Sequence, residues 1–106
     1  MKRKSKMAET PEWKVKKAVR LLLDRLGVYH FMPPANGFGR AGIPDIIACI
    51  DGHFVAIECK AGKGTTTALQ DRELNAVLNA GGTTYIARES NLDELQQLLR
   101  HKTSGL

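Results

Sequence analysis

The 106-residue sequence predicts an α/β domain in which helices flank a mixed sheet, in the order α-β-β-β-α-β with one further helix at the C-terminal end. Three observations carry this expectation. Apolar residues recur at helical spacing from Trp13 to Leu26. Two β-rich runs are separated by only Asp51-Gly52, a favoured hairpin turn. A second helical stretch then separates this hairpin from a last strand. A helix crossing between strands, beside an antiparallel hairpin, is what makes the sheet mixed.

Each element has its own signal. Residues 1–9 read as a flexible basic arm and 10–106 as a single domain. Thr10-Pro11-Glu12 is a helix start: Thr is a good N-cap, Pro suits the first helical position and an early acid suits the helix dipole. Trp13, Val15, Ala18, Val19, Leu22 and Leu26 form the apolar stripe, and Gly27 is placed as the stop. Lys14, Lys16, Lys17 and Arg20 mostly fall off that stripe, towards solvent. Val28 to Met32 is a short β-like run ended by Pro33-Pro34, and a loop of Gly and small residues, Ala35 to Gly42, has the look of a working loop. The hairpin strands are Asp45–Ile50 and His53–Lys60. Thr67-Ala68-Leu69-Gln70 has capping-box spacing and opens a helix that runs to about Ala80 and stops at Gly81-Gly82. Thr83–Arg88 is a strand, and Asn91 is placed to cap a final helix with Leu92, Leu95, Leu98 and Leu99 on one face.

Composition narrows the function classes. With 42% hydrophobic and 25% charged residues and no apolar run near the ~18 residues of a membrane span, the chain reads as a soluble globular protein. No apolar segment follows the basic start, so a secretory signal is not expected and the cytoplasm is the default compartment. Two cysteines do not make a disulfide scaffold. Net charge is +5, and residues 1–20 hold eight basic side chains against Glu9 and Glu12, while the rest of the chain sums to −1. A basic arm and first helix on a near-neutral body suit a polyanionic partner, nucleic acid before membrane.

The hairpin gathers the chemistry. If Asp51-Gly52 is the turn, Ile50 faces His53 and Asp45 sits opposite Glu58, with Cβ atoms ~5 Å apart. Period-2 alternation puts Lys60 on the same face, with Ile47, Cys49, Phe54 and Ala56. The other face, Ile46, Ala48, Ile50, Val55, Ile57 and Cys59, is almost wholly apolar, so the sheet is expected to be covered on both sides. Two opposed carboxylates on such a sheet repel and lose hydration, and a divalent cation is the simplest remedy; oxygen ligands suit Mg²⁺ or Mn²⁺. With Lys60 beside an attacking water or a phosphate oxygen, the set is a kit for phosphodiester hydrolysis. The bland alternative is a structural Asp–Lys–Glu network or a protonated acid.

Gly42-Ile43-Pro44-Asp45 followed by Glu58-Cys59-Lys60 resembles the PD-(D/E)XK nuclease signature. With Gln70 and the Gly81-Gly82 strand entry, the chain from Glu12 to about Arg88 resembles the VRR-NUC branch, close to Holliday-junction resolvase-like nucleases. The resemblance implies a nuclease-like αβββαβ core. It also implies Asp45 and Glu58 as metal ligands, with the Cys59 backbone carbonyl completing the set, and Lys60 as the catalytic lysine. Glu12 lies where these nucleases often carry a first-helix acid that supports a metal, and Gln70 matches a position near their active site. The implied reaction is Mg²⁺-dependent cleavage, Mn²⁺ substituting, to 5′-phosphate and 3′-hydroxyl ends.

Other residues have competing readings. Glu12 also suits the helix dipole, and Gln70 also suits the capping box. Arg40, Lys63, Lys14 and Lys17 are candidate phosphate contacts or plain surface charge. Cys49 and Cys59 fall on opposite faces and are expected to be small buried hydrophobes, not nucleophiles. His30, His53 and His101 lack zinc spacing. The leading expectation is a structure-selective endonuclease acting on branched DNA, such as Holliday junctions or flaps. A homodimer is expected for the sake of footprint, and neither a membrane nor a small-molecule cofactor is expected. A nuclease targeted by a partner and a non-catalytic basic DNA-binding module on the same fold are the alternatives.

Overall fold

The computed structural model describes residues 9–34 and 40–104; the rest of the arm and most of the small-residue loop, residues 35–39, lie outside the described residues. The elements run α1 (Pro11–Arg25), β1 (Tyr29–Phe31), β2 (Ile46–Ile50), β3 (His53–Cys59), α2 (Ala68–Asn79), β4 (Thr83–Ala87), a single 3₁₀ turn (Glu89–Asn91) and α3 (Leu92–Ser104). The four strands lie in chain order across one sheet. β1, β2 and β3 pair antiparallel, and β4 runs parallel to β3. The α/β class and the mixed sheet are therefore as the sequence predicts.

The start signals of the first two helices work as read. The Thr10 hydroxyl accepts from the Trp13 amide at 3.0 Å. At α2 the Thr67 hydroxyl accepts from the Gln70 amide, and the Gln70 side chain accepts from the Thr67 amide, so two free donors of the first turn are satisfied reciprocally. At α3 the expectation fails. The Asn91 side chain closes the 3₁₀ turn instead: its oxygen accepts from the Arg88 amide at 2.7 Å and its NH₂ donates to the Ile86 carbonyl at 2.9 Å. An Asn amide can bind backbone behind it as well as ahead, and here it ties the helix to the end of β4.

The hairpin register holds: Ile50 pairs with His53 and Ile46 with Ile57, and Asp45 and Glu58 stand one residue beyond that last pair. Ile46, Ala48, Ile50, Val55, Ile57 and Cys59 form the buried face, packed against Val15, Val19, Leu22 and Leu23 of α1 and Leu95 and Leu99 of α3. The expectation of cover on both faces is corrected. On the opposite face Ala56 is buried, but Cys49, Phe54, Tyr29 and Phe31 are exposed, Tyr29 at 71%. One 12-residue helix spans too little width to shield four strands. Cys49 is thus not a buried hydrophobe, whereas Cys59 is.

Gly42 shows how tightly the site's approach is built. Its φ is +84°, and a Cβ there would lie 2.4 Å from the Leu69 carbonyl oxygen and 2.8 Å from the Gln70 amide nitrogen, both backbone. Gly27 shares the left-handed conformation (φ +68°) but meets nothing within 4 Å. Gly27→Ala should therefore cost only the conformational strain, about 1 kcal/mol. Gly42→Ala should cost clearly more, about 3 kcal/mol, because backbone must move. Urea unfolding of the two variants side by side checks this difference.

Candidate active site

Asp45, Glu58, Lys60 and Gln70 meet at the end of the hairpin. Asp45 immediately precedes β2, and Glu58 lies one residue before the end of β3. Lys60 lies just past β3, yet its amide donates to the Ala87 carbonyl at 2.9 Å, so the ladder holds its backbone in place. Glu58 is 1% exposed and Lys60 8%.

Each carboxylate has one oxygen secured and one in a different situation. Asp45 Oδ2 accepts from the Cys59 amide at 2.9 Å, while Oδ1 faces the Lys16 ammonium at 3.3 Å. Glu58 Oε2 accepts from the Gln70 amide NH₂ at 3.0 Å and lies 3.6 Å from Lys60 Nζ. Glu58 Oε1 is buried with no hydrogen-bond partner. The two readings of Gln70 are therefore one arrangement. Because the capping box occupies its oxygen, only the NH₂ is left to reach Glu58, so the local helix start orients the side chain for the site.

Helix α1 supplies two opposite charges one turn apart. Glu12 lies 3.9 Å from Lys60 Nζ, so it joins the site through the lysine, and Lys16 faces Asp45. The expectation that Lys16 points to solvent is corrected. Its i+4 spacing from Glu12, on the side of α1 flanking the apolar stripe, is the signal that could have found it.

The peripheral basic residues divide. Arg40 does not stand free: its guanidinium reaches the buried Glu73 of α2 at 3.1 Å. Lys14 is exposed, and Lys17 pairs with Glu9. Lys63 is exposed in the loop after Lys60, and Arg88 clamps that loop by donating to the Gly62 and Gly64 carbonyls at 3.0 and 2.7 Å. Arg88 carried no sequence signal, because its partners are backbone atoms 24 and 26 residues away.

The family model for the archaeal Holliday junction resolvase (Hjc) matches residues 13–103. The chain belongs to that family. The match takes in Lys16, Asp45, Glu58, Lys60 and Gln70 and begins one residue after Glu12. No curated protein matches the chain. The Hjc family is a PD-(D/E)XK-type resolvase family, and the αβββαβ order with a mixed four-stranded sheet is a core consistent with it.

Electrostatics in this Hjc-family site are set by burial. Glu58 is pushed up to about 8, first by loss of hydration and then by the charge and contact of Asp45, against the pull of Lys60. The Cys59 thiol is pushed up to about 12 by burial and by the same two acids, so it is no nucleophile near neutral pH. Among the described residues no group of three or more His, Cys, Asp or Glu side chains is arranged as a metal cage. A divalent cation nevertheless fits the donors present: two neighbouring carboxylates, one of which buries an oxygen that nothing satisfies.

The raised Glu58 has a consequence for stability. Folded protein keeps the proton at pH values where the unfolded chain, with an ordinary glutamate, has lost it. The stabilisation is therefore complete below about pH 4.5 and is lost as pH rises towards 8. In EDTA, the melting temperature of the wild type should fall relative to Glu58→Gln between pH 5 and 8, by on the order of 5 °C or more. Paired thermal melts across that range check it, and parallel curves would contradict the assignment.

Proposed function

We propose that this chain is a divalent-metal-dependent endonuclease selective for branched DNA, Holliday junctions first and flaps second, with Mg²⁺ as its metal and Mn²⁺ as a substitute. The single observation that supports it most is the buried, unsatisfied Glu58 oxygen beside Asp45, with Lys60 3.6 Å from the same carboxylate. The family name speaks of Holliday junction resolution, and resolvases of this family are generally divalent-metal dependent. The affinity to the VRR-NUC branch rests on Gly42–Asp45, Glu58–Lys60 and Gln70 and belongs to this reading. So does the treatment of residues 10–106 as one nuclease unit.

In this account Asp45 and Glu58, with the Cys59 carbonyl, hold the cation, and Glu12 supports it from α1. A cation bound there polarises a phosphoryl oxygen and lowers the pKa of bound water. The protein's own groups do the rest. Gln70 fixes the Glu58 carboxylate through Oε2 and so leaves Oε1 available. The Cys59 amide fixes Asp45 in the same way. Lys60, held between Glu58 and Glu12, donates to the attacking water or to the phosphate oxygen on which charge builds. Lys14, Lys17, Lys63 and Arg40 serve as backbone contacts that position DNA without reading its sequence.

A second copy of the chain completes the reading. Tyr29, Cys49 and Phe54 are cross-strand neighbours, and with Phe31 they form an exposed, largely apolar patch on one sheet face. Pairing two such faces would cover them. It would also relate two active sites by a two-fold axis, an arrangement that suits a four-way junction.

The test is cleavage of labelled four-way junction, flap and linear duplex in Mg²⁺, Mn²⁺ or EDTA, with sedimentation of the same samples. Cutting should need metal, favour branched DNA, and fall at least ~100-fold in Lys60→Ala, from a two-copy species. Equal cutting of all three substrates would refute selectivity. Binding without metal-dependent cutting would leave a non-catalytic DNA-binding module.

A further inference from the structure

Among the described residues, Lys16 is the charged group at the site that the nuclease reading above leaves without a part. Its ammonium faces Asp45 Oδ1, the one oxygen of that carboxylate left free by the Cys59 amide. The separation of 3.3 Å exceeds the about 2.7–2.9 Å of a tight charge-assisted hydrogen bond. The side chain is 22% exposed, on a four-carbon stem able to swing. Asp45 is thus firmly held at Oδ2 and loosely held at Oδ1.

A cation bound between Asp45 and Glu58 needs Oδ1, and an ammonium within 3.3 Å of that oxygen would be repelled by a dication on it. Lys16 and the metal therefore compete for one atom. An ammonium displaced from Asp45 would still be tethered to α1 on the Asp45 side of the site, whereas Lys60 lies on the Glu58 side. Lys16 shares that helix with the exposed Lys14, Lys17 and Arg20, which extend the positive surface outward.

We infer that Lys16 is a phosphate-binding residue kept in reserve on Asp45: it neutralises that carboxylate in the metal-free protein, yields Oδ1 when a divalent cation enters, and then pairs with a phosphate of the bound strand. The inference rests on the metal-site reading above. Its consequence is that metal and DNA favour each other's binding, since the residue that metal displaces is one that DNA uses.

Two measurements test it without scoring turnover. Calorimetric titration of Mn²⁺ into metal-free protein, with no DNA present, should show Lys16→Gln binding about three- to tenfold more tightly than wild type. Lys16→Arg should restore the wild-type value, and Asp45→Asn should abolish binding. In a Lys60→Ala background, which keeps the DNA intact, the salt dependence of junction binding should then be compared with and without Mn²⁺. Lys16→Gln should lower the log–log slope by about one unit in Mn²⁺ and leave it unchanged in EDTA. If Asp45→Asn abolishes Mn²⁺ binding but Lys16→Gln binds no more tightly than wild type, the inference on Lys16 fails and the metal site stands. If Asp45→Asn leaves Mn²⁺ binding intact, the metal-site reading fails and takes the inference with it.

Discussion

Opposing Asp45 and Glu58 across the end of a hairpin, inside protein, is the constraint around which the rest of the site is arranged. Taken alone it is unfavourable: two acids lose hydration and repel. Every neighbour answers some part of that cost. The Cys59 amide and the Gln70 NH₂ each donate to one oxygen, Lys16 and Lys60 set a positive charge beside each carboxyl, and Glu12 balances Lys60. One oxygen, Glu58 Oε1, is left without a partner by these neighbours, and the proposed cation is what would satisfy it.

The scaffold around that pair is correspondingly stiff. The buried face of the hairpin packs on α1 and α3, so α1 brings Glu12 and Lys16 to the sheet end on a helix that cannot slide without opening the core. Helix α2 delivers Gln70 through its own N-terminal cap, and the backbone of Gly42 lies directly against that first turn. The loop that follows Lys60 is pinned by Arg88. Three segments distant in sequence are thereby fixed against one another around a few polar atoms, which is the precision that bond-breaking chemistry demands.

Much of this was legible from the sequence because it follows local rules. The Asp51-Gly52 turn fixes the hairpin register, and the register alone places Asp45 against Glu58. Thr10 and Thr67 mark helix starts because capping acts within one turn. What escaped depends on how elements meet. Helical periodicity sends Lys16 to solvent, since it says which side of the helix is apolar, not what stands at its edge. Residue type puts Cys49 in the interior, and alternation cannot report how much of a sheet one helix covers. Asn91 turned back to Arg88 and Ile86 because its amide serves either direction. Arg88 binds carbonyls, which leave no trace in residue type.

The proposed function depends on Asp45 and Glu58 together holding a divalent cation. Crystals grown or soaked in Mn²⁺, with anomalous difference maps collected near the manganese edge, test it directly. One strong peak is expected within about 2.3 Å of Asp45 Oδ1 and Glu58 Oε1, lost in Asp45→Asn crystals. A map with no peak there at saturating Mn²⁺, Glu58 Oε1 instead taking a proton or an ordered water, would contradict it.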